Sequence, residues 1–214
     1  IIKVAKENDV DAIHPGYGFL SENVNFARRC REEGIIFVGP TPEVMEQLGD
    51  KIAAKTLARS IQIPVIEDCI LSQDEIQTVA QRAEQIGFPI ILKAAAGGGG
   101  RGMRVVRKKE DVMASFTEAS NEALKAFGDG TIFIEKFIDS PKHIEVQLLA
   151  DNFGNIVHLF ERDFSVQRRF QKVVELAPAP NLPQEVKNKL YDYAIKIAKA
   201  VNYNNAGTVE FLVD

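Results

Sequence analysis

In the first part of the chain, segments whose apolar residues have helical spacing alternate with short apolar runs that are typical of strands. Apolar runs at 11–14 and 35–38 are typical of short strands, and helical spacing before and after the first run predicts a helix on each side. Pro42 suits the first turn of another helix, and Asp50 suits the N-cap of a helix that begins at Lys51. Helices that alternate with strands in this order indicate a parallel α/β layer.

The middle of the chain has the pattern of an α+β unit. Ser72 and Glu75 form the sequence of a capping box, and the apolar spacing behind them predicts one helix over 73–86. The unbroken apolar run at 90–93 predicts a buried strand that ends at its lysine. Further elements are predicted in the order strand, helix and strand, at 103–106, 109–127 and 131–136.

Strict alternation of polar and apolar residues over 142–149 predicts an antiparallel, half-buried strand. Its polar face carries His143, Glu145 and Gln147 and would face a cleft. Turn residues at 151–155 and an apolar return at 156–160 predict a hairpin. Pro183 starts a last helix. The predicted apolar stripe of that helix comprises Val186, Leu190, Tyr193, Ala194, Ile197 and Val201.

Composition and charge narrow the class of protein. The chain has 214 residues, 45% of them hydrophobic, and its 26 basic and 30 acidic residues give a formal net charge of −4. This size supports a substantial core, and the mixed charge argues against nucleic acid or a membrane as the main partner. Cys30 and Cys69 lie far apart with no CxxC pair, which argues against disulfides and zinc. We therefore expect a reducing cytosol or organelle matrix, and both ends look cut, as in a fragment.

A glycine-rich stretch after the strand at 90–93 carries the strongest chemical signal. Its glycines are Gly97, Gly98, Gly99, Gly100 and Gly102. Because glycine tolerates positive φ and lets several N–H groups approach an anion, we predict that the stretch holds nucleotide phosphates. A flexible linker or a hairpin turn is the alternative. The pattern is neither a P-loop nor a dinucleotide fingerprint, which favours a flap between two strands.

Charged residues around this stretch extend the predicted site. Lys93 would place a positive charge near an α- or β-phosphate, against the alternative of a solvated strand end. Lys51 lies at the N-terminal end of a predicted helix, an unfavourable place for a cation unless an anion is close. Glu135 and Lys136 would read an adenine amino group, partly through the backbone, with Ile138 as apolar cover. A surface ion pair is an equally good interpretation of the two charged residues.

Other polar residues are candidates for catalysis and metal binding. His143 lies on the polar face of its strand, although a lone histidine is more often structural. Glu210 points away from its apolar neighbours and would bind Mg²⁺ or face solvent, and no convincing second carboxylate follows it. A basic cluster mixed with acidic residues suits an anionic substrate in a cleft or a solvated face. Its members are Arg162, Arg168, Arg169 and Lys172.

Three long stretches resemble the biotin carboxylases of the ATP-grasp superfamily. They are HPGYGFLSEN from His14, KAAAGGGGRGMRVV from Lys93 and EKFIDSPKHIEVQ from Glu135. The resemblance covers essentially the whole chain. NYNNAGT from Asn202 is most similar to the biotin carboxylase domain of pyruvate carboxylase, with acyl-CoA carboxylase as the nearest alternative.

The resemblance implies a fragment of an ATP-grasp fold, of mixed α/β and α+β class. Residues 1–50 would be the C-terminal part of the family's N-terminal domain. Residues 51–214 would be a truncated ATP-grasp domain, with a lid at about 65–136 and the start of a C-terminal antiparallel layer.

The resemblance also implies an ATP-dependent ligase that carboxylates N1′ of biotin with bicarbonate, by way of carboxyphosphate. Its cofactors would be ATP and Mg²⁺, with Mn²⁺ as a possible replacement, and biotin would arrive on a carrier domain. The other partners would be the rest of the carboxylase polypeptide or complex, in a homo-oligomer. The compartment would be the cytoplasm, or the mitochondrial matrix in a eukaryote.

Residue roles follow from the same resemblance. Residues at the ATP phosphates or ribose would be Lys51, Lys93, Gly97, Gly98, Gly99, Gly100, Gly102 and His143, and Met103 would also bind ATP. Glu135, Lys136 and Ile138 would hold adenine. Gln167 and Lys172 would approach the bicarbonate and phosphate region as catalytic residues, and Glu210 would bind the metal.

Two positions depart from the family pattern RDCSVQRRHQKV. Phe164 stands where the family has cysteine, and Phe170 stands where it has a histidine close to the nucleotide. A nucleotide-binding module without turnover is therefore a second hypothesis, and we expect the fragment by itself to be inactive. A ligase similar to carbamoyl-phosphate synthetase is a third, against which the HPGYGFLSEN stretch argues.

Overall fold

A computed structural model describes residues 1–16, 18–49, 51–95, 103–168 and 171–214, with the backbone alone at 51, 52, 73 and 74. The chain divides into two compact units. The first comprises 1–65, 143–164 and 175–212, and the second comprises 66–142, 165–174 and 213–214. The mixed α/β and α+β class predicted from the sequence is confirmed, since both parallel and antiparallel strand pairs are present.

The first unit begins with short helices and strands in the predicted order. They are α1 (Ile2–Glu7), β1 (Ala12–Ile13), α2 (Val24–Glu32), β2 (Ile36–Phe37), α3 (Pro42–Gly49) and α4 (Lys51–Ser60). β1 and β2 pair in parallel, as the pattern predicted. The N-cap of α2 is the Asn23 side chain, whose Oδ1 accepts a hydrogen bond of 2.8 Å from the N–H of Phe26. The helices and strands of this segment bury a small core of Ala5, Cys30 and Ile35.

The second unit is built on a four-stranded sheet in the order β3-β6-β4-β5. Its strands are β3 (Asp68–Leu71), β4 (Ile90–Ala94), β5 (Arg104–Val106) and β6 (Ile132–Lys136), and its helices are α5 (Val79–Ile86) and α6 (Val112–Phe127). β4 is paired on both sides, and all its pairings are antiparallel. Ile90 and Leu92 are fully buried because their face of the strand packs in a core with α6. Phe116 of α6 packs in the same core. Burial of these apolar side chains stabilises the strand that leads to the glycine-rich stretch.

The predicted helix over 73–86 was wrong in its first half. Residues Gln73–Thr78 form a 3-10 turn, and the α-helix starts only at Val79. The predicted capping box is present, because Oε2 of Glu75 accepts a hydrogen bond of 2.9 Å from the Ser72 N–H. Thr78 Oγ1 donates to the Glu75 carbonyl at 2.9 Å, which favours the tighter turn. The helix predicted over 109–127 likewise begins with a 3-10 turn, over Lys109–Asp111.

The remaining part of the first unit is a three-stranded sheet in the order β11-β7-β8. The strands are β7 (Lys142–Ala150), β8 (Ile156–Asp163) and β11 (Asn205–Val213), and helix α7 (Gln184–Ala200) packs against β8. β7 and β8 form the predicted antiparallel hairpin. Ile144, Val146 and Leu148 are buried, which confirms the apolar face of β7.

A bulge interrupts the β7–β8 hairpin between Val146 and Leu148. Val146 pairs with Glu161 and Leu148 with His158, so two residues of β8, Leu159 and Phe160, oppose Gln147 alone. Phe160 takes a left-handed φ of 64°. Because the register shifts by one, Arg162 rather than Glu161 stands opposite Glu145.

Helix α7 differs from its predicted apolar stripe. Leu190 and Ala194 are buried as expected, but Tyr191 and Ala198 are buried in place of Tyr193 and Ile197, which are only half-buried. Two short strands of the second unit, β9 (Gln167–Arg168) and β10 (Gln171–Lys172), pair in antiparallel fashion. In the described part of the chain, no helix is long and apolar enough to cross a bilayer.

Candidate functional site

The second unit brings Lys93 and Glu135 together on neighbouring strands. β4 and β6 pair with Lys93 opposite Phe133 and Ile91 opposite Glu135, and the Lys93 ammonium donates a hydrogen bond to the Glu135 carboxylate. The Lys93 side chain is 35% exposed and that of Glu135 is 12% exposed. Lys93 therefore lies next to a carboxylate rather than at a solvated strand end, and a bound phosphate would compete for the same ammonium.

Lys136 points in another direction. Its ammonium donates to the carbonyls of Gly87, at 3.0 Å, and Phe88, at 2.8 Å, just beyond the C-terminal end of α5. A lysine at a helix C-terminus satisfies carbonyls that have no helical partner. This contact gives the Lys136 side chain a structural role. Its predicted adenine contact stays a prediction, as does the apolar cover from Ile138, which is half-buried.

Several predicted residues lie outside what the structure describes. They are Gly97, Gly98, Gly99, Gly100, Gly102, the side chain of Lys51, Asp50, Arg169 and Phe170. Met103 is described and half-buried, and it directly precedes β5. The predicted phosphate contacts of these glycines therefore stay predictions.

The sheet of the first unit brings together one imidazole and two carboxylates. His143 and Glu145 share a face of β7, and Glu210 lies on the adjacent strand β11. One ligand atom from each residue lies within 4.8 Å of those of the other two. Nε2 of His143 lies 3.5 Å from Oε2 of Glu210. We call these three residues the carboxylate cluster.

The carboxylate cluster fits a hard divalent cation. Carboxylate oxygens are the preferred ligands of Mg²⁺ and Mn²⁺, and an imidazole nitrogen is acceptable to Mn²⁺. The sequence led to the expectation that Glu210 would find no second carboxylate before Asp214. The structure supplies one in Glu145, which the sheet brings next to Glu210 across 65 positions of sequence. The alternation of Glu145 with His143 on one strand face was the signal that could have identified it.

Arg162 holds the buried member of the cluster. Its guanidinium donates to Gln147 Oε1 at 2.8 Å and to Glu145 Oε2 at 3.2 Å, and its Nε lies 3.2 Å from a Glu175 oxygen. The Glu145 side chain is 6% exposed, and this paired cation makes its burial as a carboxylate tolerable. The alternative of a solvated face is thus wrong for Arg162, because its side chain is only 21% exposed and contacts neighbouring side chains of the protein. Its role toward an anionic substrate stays a prediction.

Gln167 and Lys172 stand directly opposite each other in the β9–β10 pair. Lys172 is exposed and Gln167 is half-buried. Directly opposed residues of an antiparallel pair lie close to each other, so a small anion could contact both side chains at once.

A second buried carboxylate escaped the sequence analysis. Glu161, only 2% exposed, accepts hydrogen bonds from the Lys187 ammonium at 2.6 Å, from the Ala179 N–H at 3.1 Å and from the Tyr191 hydroxyl. Burial alone would raise the pKa of Glu161, but these hydrogen bonds outweigh it and hold the pKa below its ordinary value. Burial and the bond to Glu161 raise the pKa of Tyr191. Lys187 and Tyr191 lie 26 and 30 positions away, beyond any local pattern.

Comparison with known families divides the chain in two. Residues 50–214 match the model of the family described as "Carbamoyl-phosphate synthase L chain, ATP binding domain", and residues 1–45 match "Biotin carboxylase, N-terminal domain". Among curated relatives, pyruvate carboxylase of Aspergillus terreus is 57% identical and mitochondrial pyruvate carboxylase of Homo sapiens is 54% identical. Both identities extend over all 214 residues, but the chain spans only 18% of the length of either relative.

Solved structures agree with these matches. A biotin carboxylase from Campylobacter jejuni, solved as a β-γ-ATP complex, superposes with a TM-score of 0.90 and 48% identity, over 100% of this chain and 48% of that one. The biotin carboxylase domain of Hydrogenobacter thermophilus 2-oxoglutarate carboxylase, solved with MgADP and bicarbonate, gives a TM-score of 0.88 and 45% identity, over 100% and 47%. Rhizobium etli pyruvate carboxylase gives a TM-score of 0.84 and 52% identity, over 99% of this chain and 18% of that one.

Proposed function

Because the chain belongs to the biotin carboxylase family, we propose that it serves the ATP-dependent carboxylation of biotin with bicarbonate, as part of a pyruvate carboxylase. The observation that carries the proposal is the carboxylate cluster, which gathers His143, Glu145 and Glu210 within 4.8 Å on one sheet face. Such a donor set suits the divalent cation that accompanies ATP. The MgADP and bicarbonate bound by the Hydrogenobacter relative support the same ligands here.

The nucleotide would be bound by the residues predicted from the sequence. The Lys93 ammonium would turn from Glu135 toward a phosphate oxygen, the glycine-rich stretch would bind the phosphates as well, and Met103 would contact the nucleotide. Glu135, Lys136 and Ile138 would hold adenine, with the backbone of Lys136 available because its side chain is engaged at the end of α5. His143 and Lys51 would contact the phosphates or ribose.

The metal ion, Mg²⁺ or Mn²⁺, would be held by Glu210 and Glu145 and would supply neutralising charge for the phosphates. The protein's own contribution is to hold these carboxylates in place. Arg162 orients Glu145 through its hydrogen bond of 3.2 Å.

Gln167 and Lys172 would bind bicarbonate. The exposed Lys172 ammonium would attract the anion, and the Gln167 side chain opposite it would orient the anion by hydrogen bonding. A cation in this position would also stabilise the negative charge that develops on carboxyphosphate formation.

The whole protein would supply further parts. We propose that biotin reaches the site on a carrier domain, that other segments of the carboxylase complete the site, and that the protein is a homo-oligomer in the cytoplasm or the mitochondrial matrix. The final carboxyl acceptor would be pyruvate, as in the relatives of 54–57% identity. An acyl-CoA or 2-oxoglutarate is the alternative acceptor.

The proposal is tested by bicarbonate-dependent ATP hydrolysis of the complete polypeptide, with and without free biotin. We expect biotin to stimulate hydrolysis, and Lys172→Ala to abolish the stimulation because the bicarbonate cation is lost. Lys189→Ala, which removes another exposed lysine on α7, is the control and should behave as wild type. Nucleotide binding without any biotin-stimulated hydrolysis would favour the alternative of a binding module, to which Phe164 and Phe170 give some support.

A second experiment separates two roles for Lys93. Lys93→Ala should weaken MgADP binding by about 1–3 kcal/mol, measured by calorimetry, if the ammonium binds phosphate. The same loss would also arise if Lys93 only neutralised Glu135. The double variant Lys93→Ala/Glu135→Gln, compared with Glu135→Gln alone, distinguishes the two roles: the double variant binds more weakly than Glu135→Gln if Lys93 binds phosphate, and equally well if Lys93 only neutralises the carboxylate.

Lys109→Ala is the matched control for this experiment. Lys109 is also ion-paired, with its Nζ 2.5 Å from a Glu84 oxygen, and it belongs to the same unit. We expect its removal to leave the affinity for MgADP unchanged.

A further inference from the structure

The guanidinium of Arg162 contacts residues at both ends of the segment that carries β9 and β10. Phe164 is the last residue of the first unit before that segment, and Glu175 is the first residue after it. Arg162 lies against both of them. The two strands in between contain Gln167 and Lys172, the residues assigned above to bicarbonate.

At the departing end, Phe164 is fixed by its backbone and its ring. Its N–H donates to the His143 carbonyl at 2.8 Å, which continues the β7–β8 ladder by one residue. Arg162 and Phe164 are two positions apart in an extended chain, so their side chains lie on the same face. The guanidinium carbon lies 5.7 Å from the ring centroid of Phe164, within the range of a cation–π contact.

At the returning end, the chain is bonded back to the end of β8. The Asp163 N–H donates to the Leu176 carbonyl at 2.9 Å, and the Leu176 N–H donates to the Asp163 carbonyl at 3.1 Å. The Glu175 carboxylate next to this bridge lies 3.2 Å from Nε of Arg162. One side chain of β8 thus reaches the residues on both sides of the β9–β10 pair.

Arg162 itself is held in place from β7. The side chains of Gln147 and Glu145 accept hydrogen bonds of 2.8 and 3.2 Å from its two terminal NH₂ groups, and the Arg162 side chain is only 21% exposed. The planar fork of arginine can serve three acceptors in one plane while a ring covers its face, which a lysine cannot do. The guanidinium is therefore a rigid support rather than a mobile surface charge.

We propose that Arg162 is a positioning residue for Gln167 and Lys172, acting as a clasp that fixes both ends of the β9–β10 pair. Phe164 is the aromatic half of this clasp. The functional part of the inference rests on the proposed bicarbonate role of Gln167 and Lys172.

Hydrogen exchange in the complete polypeptide tests the clasp without requiring activity. The Val173 N–H donates to the Val166 carbonyl at 3.1 Å, so its protection reports whether the pair is formed. Arg162→Gln should speed exchange at Val173 and in β9 and β10 by about tenfold. Phe164→Leu, which keeps an apolar side chain but loses the ring, should speed it by about threefold, and Phe164→Tyr should retain wild-type protection.

Kinetics tests the positioning role. Glu175→Gln and Phe164→Leu disturb the clasp without touching Glu145, so each should raise the KM for bicarbonate by about threefold and change the KM for MgATP less than twofold. Phe164→Tyr should keep the wild-type KM for both bicarbonate and MgATP.

Arg107→Gln is the matched control. Arg107 binds Asp139 with two hydrogen bonds and lies 5.7 Å from the Phe137 ring, so it has contacts of the same kind, but with residues outside the segment of β9 and β10. It should leave exchange in β9 and β10 unchanged.

Wild-type exchange rates in Arg162→Gln and Phe164→Leu would overturn the clasp. Faster exchange with an unaltered KM for bicarbonate would overturn the positioning role. If the wild-type protein shows no biotin-stimulated hydrolysis, the proposed function fails, and the exchange rates still decide whether the clasp exists.

Discussion

Two glutamates on neighbouring strands, Glu145 and Glu161, are both almost completely buried, yet their surroundings differ. Glu161 faces α7 and accepts hydrogen bonds from Lys187, Tyr191 and the Ala179 backbone. Glu145 faces the other side of the sheet, where Arg162 binds one of its oxygens. It also lies within 4.8 Å of His143 and Glu210.

The difference shows what distinguishes a structural carboxylate from one that can take a ligand. The donors around Glu161 come from the protein, and both of its carboxylate oxygens accept hydrogen bonds from them. Glu145 is bound by a cation on one side and adjoins a second carboxylate and an imidazole on the other. Burial alone therefore does not identify a functional acid, whereas the neighbours that a carboxylate faces do.

The largest expected effect is on stability. Glu161→Gln should lower the free energy of unfolding by about 3–5 kcal/mol, because it leaves the Lys187 ammonium buried without its counter-charge. Urea denaturation of the complete polypeptide would measure the loss. The same substitution at Glu145 is the matched control and should cost only about 1 kcal/mol, since Arg162 keeps Glu175 and Gln147 as partners. Equal losses at the two positions would contradict the distinction drawn here.

The stability of Glu161→Gln should also differ from that of the wild type in its dependence on pH. The pKa of Glu161 is lower in the folded protein than its ordinary value of 4.5, so its contribution to stability is complete above that pH. The contribution is lost as the pH falls through the lowered folded pKa. Wild-type stability should therefore decline below about pH 4.5, and the decline should be shallower in Glu161→Gln. Parallel declines in the two proteins would show that Glu161 does not retain its charge.

The smaller expected effect is on metal binding. Glu145→Gln should weaken Mn²⁺ binding by about tenfold, measured by electron paramagnetic resonance, because it removes one negative charge from the carboxylate cluster. Glu161→Gln should leave the Mn²⁺ affinity of the folded fraction unchanged. A normal affinity in Glu145→Gln would mean that Glu210 binds the ion without it.

Local patterns predicted the elements well and the charged contacts poorly. The capping box of Ser72 and Glu75 and the alternation along β7 depend on residues a few positions apart, and both were confirmed. The pair of Glu161 with Tyr191 depends on how α7 lies on β8, which no short window contains. Tyr191 was accordingly missing from the predicted stripe, because its burial is linked to a hydrogen bond with Glu161 and not to the helical spacing of apolar residues.

The neighbours of Glu145 were hidden for a different reason. Counted back from the hairpin turn, the pairing of Leu148 with His158 would place Glu145 opposite Glu161. Two glutamates in direct opposition would be unfavourable. The bulge adds one residue to β8 and substitutes Arg162, and a bulge is not visible in hydrophobic periodicity.

Because of the bulge at Leu159 and Phe160, the charges on each face of this sheet depend on the number of residues in β8 as well as on their identity. Loss of one residue there would turn Arg162 toward α7 and Glu161 toward the carboxylate cluster, although neither side chain had changed. In an evolving lineage, single-residue deletions in β8 would therefore be removed by selection more strictly than many substitutions at the same positions. Phe160→Gly illustrates the asymmetry, because glycine readily adopts the left-handed φ of 64° and would keep the length that the pattern requires.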